Sequence, residues 1–358
     1  MTIETKTADA LSQRLFAATV DAMDMLTVYV GDRLGYYRAL AELGPQSSSE
    51  LAERAGTTER YTREWLEQQT ITGIVEVDDV SAPSEQRRYS ISPGHAEALT
   101  DGLSLAYITP FVRMVAAAGF QVPHIVEAHR QGNGVSWAQY GLDMREAQGD
   151  MNRPFFAGLL GQEWFPSVPD LHERLSDGAR VADIGFGHGW SAIALATAYP
   201  GITVDGFDVD EPSVETANQN AKAEGVADRV KFHAVDAAGV APSERYDVVT
   251  AFECIHDLPH PVAVLSSMRT LAGGDGIVVV MDEKVADAFG AIGDDIERVM
   301  YGFSNLICLP DGMAHPESAA TGTVMREGQL AAYARDAGFS GVDVLPIESD
   351  LWRFYRLT

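Results

Sequence analysis

Val181-Ala182-Asp183-Ile184-Gly185-Phe186-Gly187-His188-Gly189-Trp190 carries more information than any other stretch of the chain. The apolar run over 180–184 reads as a β-strand that delivers a carboxylate, Asp183, to its carboxyl end. Gly185, Gly187 and Gly189 follow at alternate positions, and the alanine-rich residues 191–198 read as a helix. Glycine has no Cβ, so such a turn can bring bare backbone against a ligand and take positive φ where required. The helix behind it presents unpaired N–H groups to an anion or a carboxylate.

Working outward, the pattern repeats. The run over 202–207 ends at Asp208, which is followed by Val209, and Glu211-Pro212-Ser213 then opens a helix with Pro212 in its first turn. A third run, 229–235, ends at Asp236, next to Ala237. A fourth, 246–252, is almost wholly apolar and ends at Phe252 and Glu253, as a parallel strand buried on both faces should. A fifth covers 276–281, and 341–347 with 351–357 read as a closing antiparallel hairpin. This alternation of strands and helices predicts an α/β doubly wound, mostly parallel sheet that binds its ligand at the carboxyl ends of the strands. Asp183, Asp208, Asp236 and Glu253 all fall at that edge. An acid at the end of the second strand suits the two hydroxyls of a ribose, and Asp236 suits an adenine amino group, with the small Ala237 leaving room for the ring. Trp190 at the third glycine position speaks against a dinucleotide fingerprint.

The pattern Asp-x-Gly-x-Gly-x-Gly resembles the first motif of class I S-adenosylmethionine (SAM) methyltransferases, and the resemblance covers about residues 150–358. It implies the Rossmann-like sheet of that class, SAM as cofactor and S-adenosylhomocysteine (SAH) as product. It also implies a cofactor site drawn from Asp183, Gly185, Gly187, Gly189, Asp208, Val209, Asp236, Ala237, Phe252 and Glu253.

Composition narrows the partners. With 26 Lys and Arg against 52 Asp and Glu the net charge is −26, and lysine occurs only at 6, 222, 231 and 284. Nucleic-acid binding needs basic residues clustered on one face, so it is not expected. No apolar run reaches the roughly 18 residues of a membrane span. The two cysteines, Cys254 and Cys308, form no disulfide framework or zinc pattern and fit a reducing cytoplasm.

In the first half, helices are expected over 9–30, 31–43, from 47 and over 57–69, followed by strands over 74–77 and 89–92. A helix-turn-helix followed by a hairpin is the outline of a winged helix. Its would-be recognition helix mixes Arg60 and Arg63 with Glu59, Glu64 and Glu67. Small-molecule O-methyltransferases carry a similar module that serves dimerisation and pocket lining, which implies a homodimer. The domains expected are therefore a winged-helix domain, 1–100, a helical pocket-lining segment, 101–165, and a SAM domain, 166–358, with a lid insertion at about 284–323. Substrate-pocket candidates in the two aromatic-rich segments are Trp137, Tyr140, Arg153, Phe156, Tyr301, Phe303 and Met313. The winged-helix front, Asn152-Arg153-Pro154-Phe155-Phe156, the run over 303–313 and Ala320-Thr321-Gly322-Thr323 resemble a bacterial, largely actinobacterial, family that pairs a winged helix with a SAM-dependent methyltransferase domain.

His256-Asp257, just past the fourth strand, sits where a base is needed for a hydroxyl nucleophile. Plant-type O-methyltransferases carry a His-Asp pair there, which implies His256 as base, with Asp282, or next to it Glu283, orienting the ring. The acceptor expected is a small aromatic or hydroxylated metabolite. No metal is expected, since no tight carboxylate cluster adjoins His256 in sequence beyond Asp257. Three alternatives stay open: a SAM-responsive winged-helix regulator, a nicotinamide-dependent oxidoreductase, and a SAM-fold enzyme that does not methylate.

Overall fold

The computed structural model describes residues 7–240 and 245–358, and the chain divides into two compact units, Met1–Ala116 and Ala117–Thr358. That division falls inside the helical segment expected at 101–165.

The first unit opens with a long helix, α1 (Ala8–Arg33), followed by α2 (Tyr36–Leu43). The break lies at Gly35, where φ is +70°, four residues later than the sequence pattern placed it. Gly31 lies within α1, and a Cβ there would run into the Trp65 ring, so this glycine serves packing and not a turn. α3 (Ser48–Ala55) starts with a capping box between Ser47 and Glu50, and α4 (Glu59–Ile71) follows. Strands β1 (Glu76–Val77) and β2 (Tyr89–Ser90) pair antiparallel as the wing, and α5 (Pro93–Thr100) closes the unit. Its core is aromatic: Tyr36, Tyr37 and Trp65 pack with ring centroids 4.7–5.1 Å apart. α6 (Thr109–Gln131) crosses the boundary between the units along the chain.

The second unit continues with α7 (Trp137–Phe155), kinked at Gly141, then a π-helical stretch, Phe156–Trp164, and α8 (Pro169–Ser176). After these come β3 (Arg180–Ile184), α9 (Trp190–Ala198), β4 (Thr203–Asp208), α10 (Glu211–Ala223) and β5 (Val230–Ala234). The chain goes on through β6 (Val248–Phe252), α11 (Pro261–Ala272) and β7 (Ile277–Glu283). An insertion carrying α12 (Asp295–Phe303) and α13 (Leu309–Met313) follows, then α14 (Glu327–Asp336), β8 (Val342–Val344) and β9 (Trp352–Leu357). The sheet has the order β5-β4-β3-β6-β7-β9-β8, with β9 antiparallel to both neighbours and the other pairs parallel. β3 lies at the point where the winding reverses, so the glycine turn sits where such sheets bind ligands. Hydrophobic layers cover both faces: Leu171, Leu195 and Val204 pack on one side, Leu265, Met268 and Val280 on the other. Among the described residues, no helix is long and apolar enough to cross a membrane.

Candidate active site

The turn after β3 has the conformation its glycines allow. Gly185, Gly187 and Gly189 take φ of 67°, 54° and 79°. A Cβ at Gly185 would come within 2.7 Å of the Cys254 side chain, and one at Gly189 within 2.5 Å of the Phe232 ring. Both positions thus require glycine for backbone conformation and for space. Gly187 has nothing within 4 Å of its missing Cβ, so its backbone stays open to approach.

Two carboxylates shape this turn. Asp183 is fully buried and accepts hydrogen bonds from Ser191 Oγ at 2.5 Å and Thr250 Oγ1 at 2.7 Å. Burial pushes its pKa up to about 6, against the pull of the two hydroxyls. Asp208 accepts the N–H groups of Gly187 and Asp210, both at 2.9 Å, and burial raises its carboxyl above the ordinary range. A carboxylate offers about four acceptor sites, so Asp208 braces the turn and still has capacity for a ligand. Asp236 is exposed and accepts the Ala238 N–H at 2.8 Å, Ala237 is buried beside it, and Val209 is exposed.

Beside the turn lies a cavity of about 70 Å³, walled by Trp137, Gln148, Asn152, Phe156, Phe252 and Glu253. That is the scale of a few water molecules rather than of a nucleoside. α7 is held onto the turn in two places. Arg145 forms a bidentate pair with Asp210, both distances 2.8 Å, and Gly149 packs so closely on His188 that a side chain there would overlap the ring.

Glu253 is where β6 leaves the sheet, with a φ of +48° that non-glycine residues rarely take. Its carboxylate accepts from Trp352 Nε1, from Asn152 Nδ2 and, at 3.4 Å, from Gln148 Nε2. Burial pushes its pKa up to about 7.

His256 lies deeper, 3% exposed. Its Nδ1 is 2.7 Å from Asp282 Oδ1 and 3.0 Å from Glu283 Oε2, and its Nε2 is 3.2 Å from Asp257 Oδ1. Burial alone would lower the ring's pKa, but Asp257, Asp282 and Glu283 together outweigh it and hold the pKa well above the ordinary value. Burial raises Glu283, while His256 brings Asp282 below its usual range despite burial. These directions favour a proton on the His256 ring and a charge on Asp282. Folding supplies the tight carboxylate group that the sequence around His256 lacked. Nδ1 and the two β7 oxygens lie within 4.8 Å of one another and are of metal-ligand type, as are the corresponding atoms of His256, Asp257 and Cys308. The expectation of no metal therefore loses its basis, because β7 brings Asp282 and Glu283 from 26 residues away in sequence.

Of the pocket candidates, Trp137 and Phe156 line the cavity; Tyr140, Arg153, Tyr301, Phe303 and Met313 do not. Tyr140 ties α7 to the insertion, donating from its hydroxyl to the Leu306 carbonyl at 2.7 Å, and Asp311 accepts the Trp137 N–H at 2.6 Å. Arg153 lies 4.1 Å from the centre of the Trp190 ring, and the Tyr301 hydroxyl accepts from Arg326. Gln148, Asn152, Arg145 and Trp352 were not picked out from the sequence. Trp352 had no local signal at all, since it reaches the site only because β9 inserts beside β7.

Residues 175–321 match a methyltransferase domain family, and residues 22–101 match the Rv2258c-like winged HTH domain. The chain is 33% identical over 197 residues to the 27-O-demethylrifamycin SV methyltransferase of Amycolatopsis mediterranei (strain S699), covering 46% of this chain and 72% of that protein. Among solved structures, the mitomycin 7-O-methyltransferase MmcR superposes with a TM-score of 0.71 at 21% identity, covering 98% of each chain. Human N-acetylserotonin methyltransferase in complex with SAM superposes with a TM-score of 0.70 at 16% identity, covering 100% of this chain and 99% of that one. With the glycine turn at the switch point of a class I sheet and a winged helix ahead of it, the chain belongs to the SAM-dependent methyltransferases that combine these two domains.

Proposed function

We propose that the protein transfers the methyl group of SAM to an oxygen of a small aromatic or hydroxylated metabolite. The supporting observation is the glycine turn at the switch point of the sheet, with His256 beyond the end of β6 carrying Asp282 on its Nδ1. The relatives named for O-methylation support oxygen over nitrogen or carbon. Bound at the turn, SAM supplies an electrophilic sulfonium methyl. In this reading Gly185, Gly187 and Gly189 give the backbone against which the cofactor lies, with Asp183 holding the turn from beneath. Asp208 and Val209 meet the ribose, Asp236 and Ala237 the adenine, and Phe252 and Glu253 the methionine end. Trp137, Phe156 and, further out on the insertion, Tyr301, Phe303 and Met313 enclose the acceptor, with Tyr140 and Arg153 holding α7 in place.

His256 is the proposed proton acceptor. Asp282 on Nδ1 fixes the tautomer, and Nε2 is the atom that would take a hydroxyl proton once Asp257, whose side chain is 36% exposed, gives way. The surrounding carboxylates stabilise the protonated ring, so the basic form gains population as pH rises through its raised pKa, and turnover should rise on the alkaline side of neutrality. His256→Ala is expected to abolish turnover and leave the dissociation constant for SAH nearly unchanged. Release of SAH from SAM, followed against hydroxylated acceptors and amine-bearing analogues, tests the whole reading. Methylation confined to the amines, or turnover retained in the His256 variant, refutes the corresponding part.

The protein is further proposed to be a cytoplasmic homodimer that does not bind nucleic acid. α1 leaves Leu15, Phe16, Val20 and Met23 exposed, an apolar stretch suited to a second copy. Arg60, Arg63 and Arg87 are paired with Glu64, Glu59 and Glu67, so the arginines around α4 are neutralised rather than offered to phosphates. Cys254 and Cys308 are free thiols, in keeping with a reducing compartment.

A further inference from the structure

We propose that His256 Nε2, Asp257 Oδ1 and Cys308 Sγ form a binding site for a zinc-type divalent cation, joining the loop after β6 to the insertion. Cation binding does not depend on SAM. Only its effect rests on the reading of His256 as proton acceptor, since a cation on Nε2 occupies the atom that would take the proton. The three donor atoms lie within 4.8 Å of one another. One nitrogen, one oxygen and one sulfur suit zinc, or cobalt in its place, and not magnesium or calcium, which prefer oxygen throughout. Nε2 and Oδ1 are 3.2 Å apart. A tetrahedron with bonds of about 2.0–2.1 Å has an edge of roughly 3.4 Å, so this pair already has the spacing of two zinc ligands. Oδ1 is also buried and makes no hydrogen bond among the described residues, Nε2 included, so its lone pairs stay available.

The surroundings of the three ligands supply independent support. On the far side of the ring, Nδ1 donates to the buried Asp282 Oδ1 at 2.7 Å. Metal-bound histidines almost always give their other N–H to such a partner, which fixes the tautomer and leaves a lone pair on the ligating nitrogen. On the sulfur side, Cys308 ends a π-helical turn, Ser304–Cys308, an irregularity that recurs at functional sites. The Thr323 hydroxyl faces Sγ, is 2% exposed and has no hydrogen-bond partner among the described residues. It is therefore a donor in reserve for a thiolate. Burial pushes the Cys308 thiol up to about 12, so it keeps its proton until a cation displaces it. On binding, that proton and any proton on Nε2 pass to the buffer, with no change of oxidation state. Exposure decides between this set and the one around Nδ1: Asp257 and Cys308 are partly exposed and give the cation a route in, whereas Asp282 and Glu283 are buried. Three protein ligands leave the fourth tetrahedral position to water.

The test is titration of the full chain, freed of metal by a chelator and kept reduced, with Co²⁺ under absorption spectroscopy. One equivalent should bring the visible bands of tetrahedral cobalt together with a thiolate-to-cobalt charge-transfer band in the near ultraviolet. Zinc should erase both, and magnesium neither. Cys308→Ser should remove the charge-transfer band. Asp282→Asn, whose side chain does not touch the cation, should keep the band and weaken cobalt by roughly 10- to 100-fold. X-ray absorption of the zinc-loaded wild type needs no variant, and should show one sulfur at about 2.3 Å beside lighter atoms at about 2.0–2.1 Å. Absence of binding, a zinc shell without sulfur, or a band that survives Cys308→Ser overturns the inference. Cobalt binding that lacks the band and is lost in Glu283→Gln also overturns it, by placing the cation on Nδ1. Zinc held with its sulfur ligand while SAM turnover with a hydroxylated acceptor continues leaves the site standing and refutes His256 as proton acceptor, a result distinct from the others.

Discussion

Replacing His256 by alanine removes the cationic partner of a buried acidic cluster, and the structure gives the scale of the effect. Asp282 is 1% exposed and its Oδ1 lies 2.7 Å from the ring, with Glu283 Oε2 at 3.0 Å from the same nitrogen. Water entering the space left by the ring brings no compensating positive charge. Breaking a buried pair by removing one partner costs about 3–5 kcal/mol, because the remaining charge is left uncompensated or must take up a proton. For a unit of this size that corresponds to a melting temperature lower by about 6–20 °C. The assay is urea denaturation of wild type and variant at pH 7, followed by tryptophan fluorescence, with SAH titration on the folded variant as a check on the cleft. The pH dependence gives the sign. The folded pKa of His256 is raised, so its contribution is fully present below the unfolded value of about 6.5 and is lost as pH rises through the raised folded value. The stability gap between wild type and variant should therefore narrow on the alkaline side. A loss under about 1 kcal/mol at pH 7, or a gap that widens with pH, would refute the charged-ring reading. Adding Asp282→Asn to the variant should recover part of the loss, since it removes the stranded charge.

Further outcomes follow from the same geometry. Asp208→Ala removes the acceptor for the Gly187 and Asp210 N–H groups as well as the proposed ribose contact, and should weaken SAH by roughly 1–3 kcal/mol; an unchanged dissociation constant refutes the role. Gly185→Ala places a methyl within 2.7 Å of Cys254 at a φ of +67°, and should lower both stability and SAH affinity, read by thermal melting and titration. Phe16→Asp on α1, with Phe16 71% exposed, should convert a dimer into a monomer of normal stability by light scattering, and an unchanged mass would count against that surface.

Local chemistry in the sequence accounts for much of the second unit. Alternating apolar runs located the parallel strands, because a strand buried on both faces must be apolar throughout, and the three glycines located the turn, because only glycine fits there. Edge acids were legible too, although their tasks were not. Asp183 is tied to Ser191 and Thr250, and Asp208 reaches back to Gly187, contacts made across strands and turns. In the first unit, Gly31 read as a break and proved to be a packing position against Trp65, information that a one-dimensional pattern does not contain. The sequence by itself determined the fold class, the glycine turn and the acidic, lysine-poor composition. All three depend on the kinds of residues and their spacing along the chain. Only the tertiary structure decided that His256 is enclosed by Asp257, Asp282 and Glu283, and that Asn152 and Trp352 converge on Glu253. Protonation and hydrogen bonding depend on burial and on partners a few ångströms away, and those partners lie about 100 residues from Glu253 along the chain.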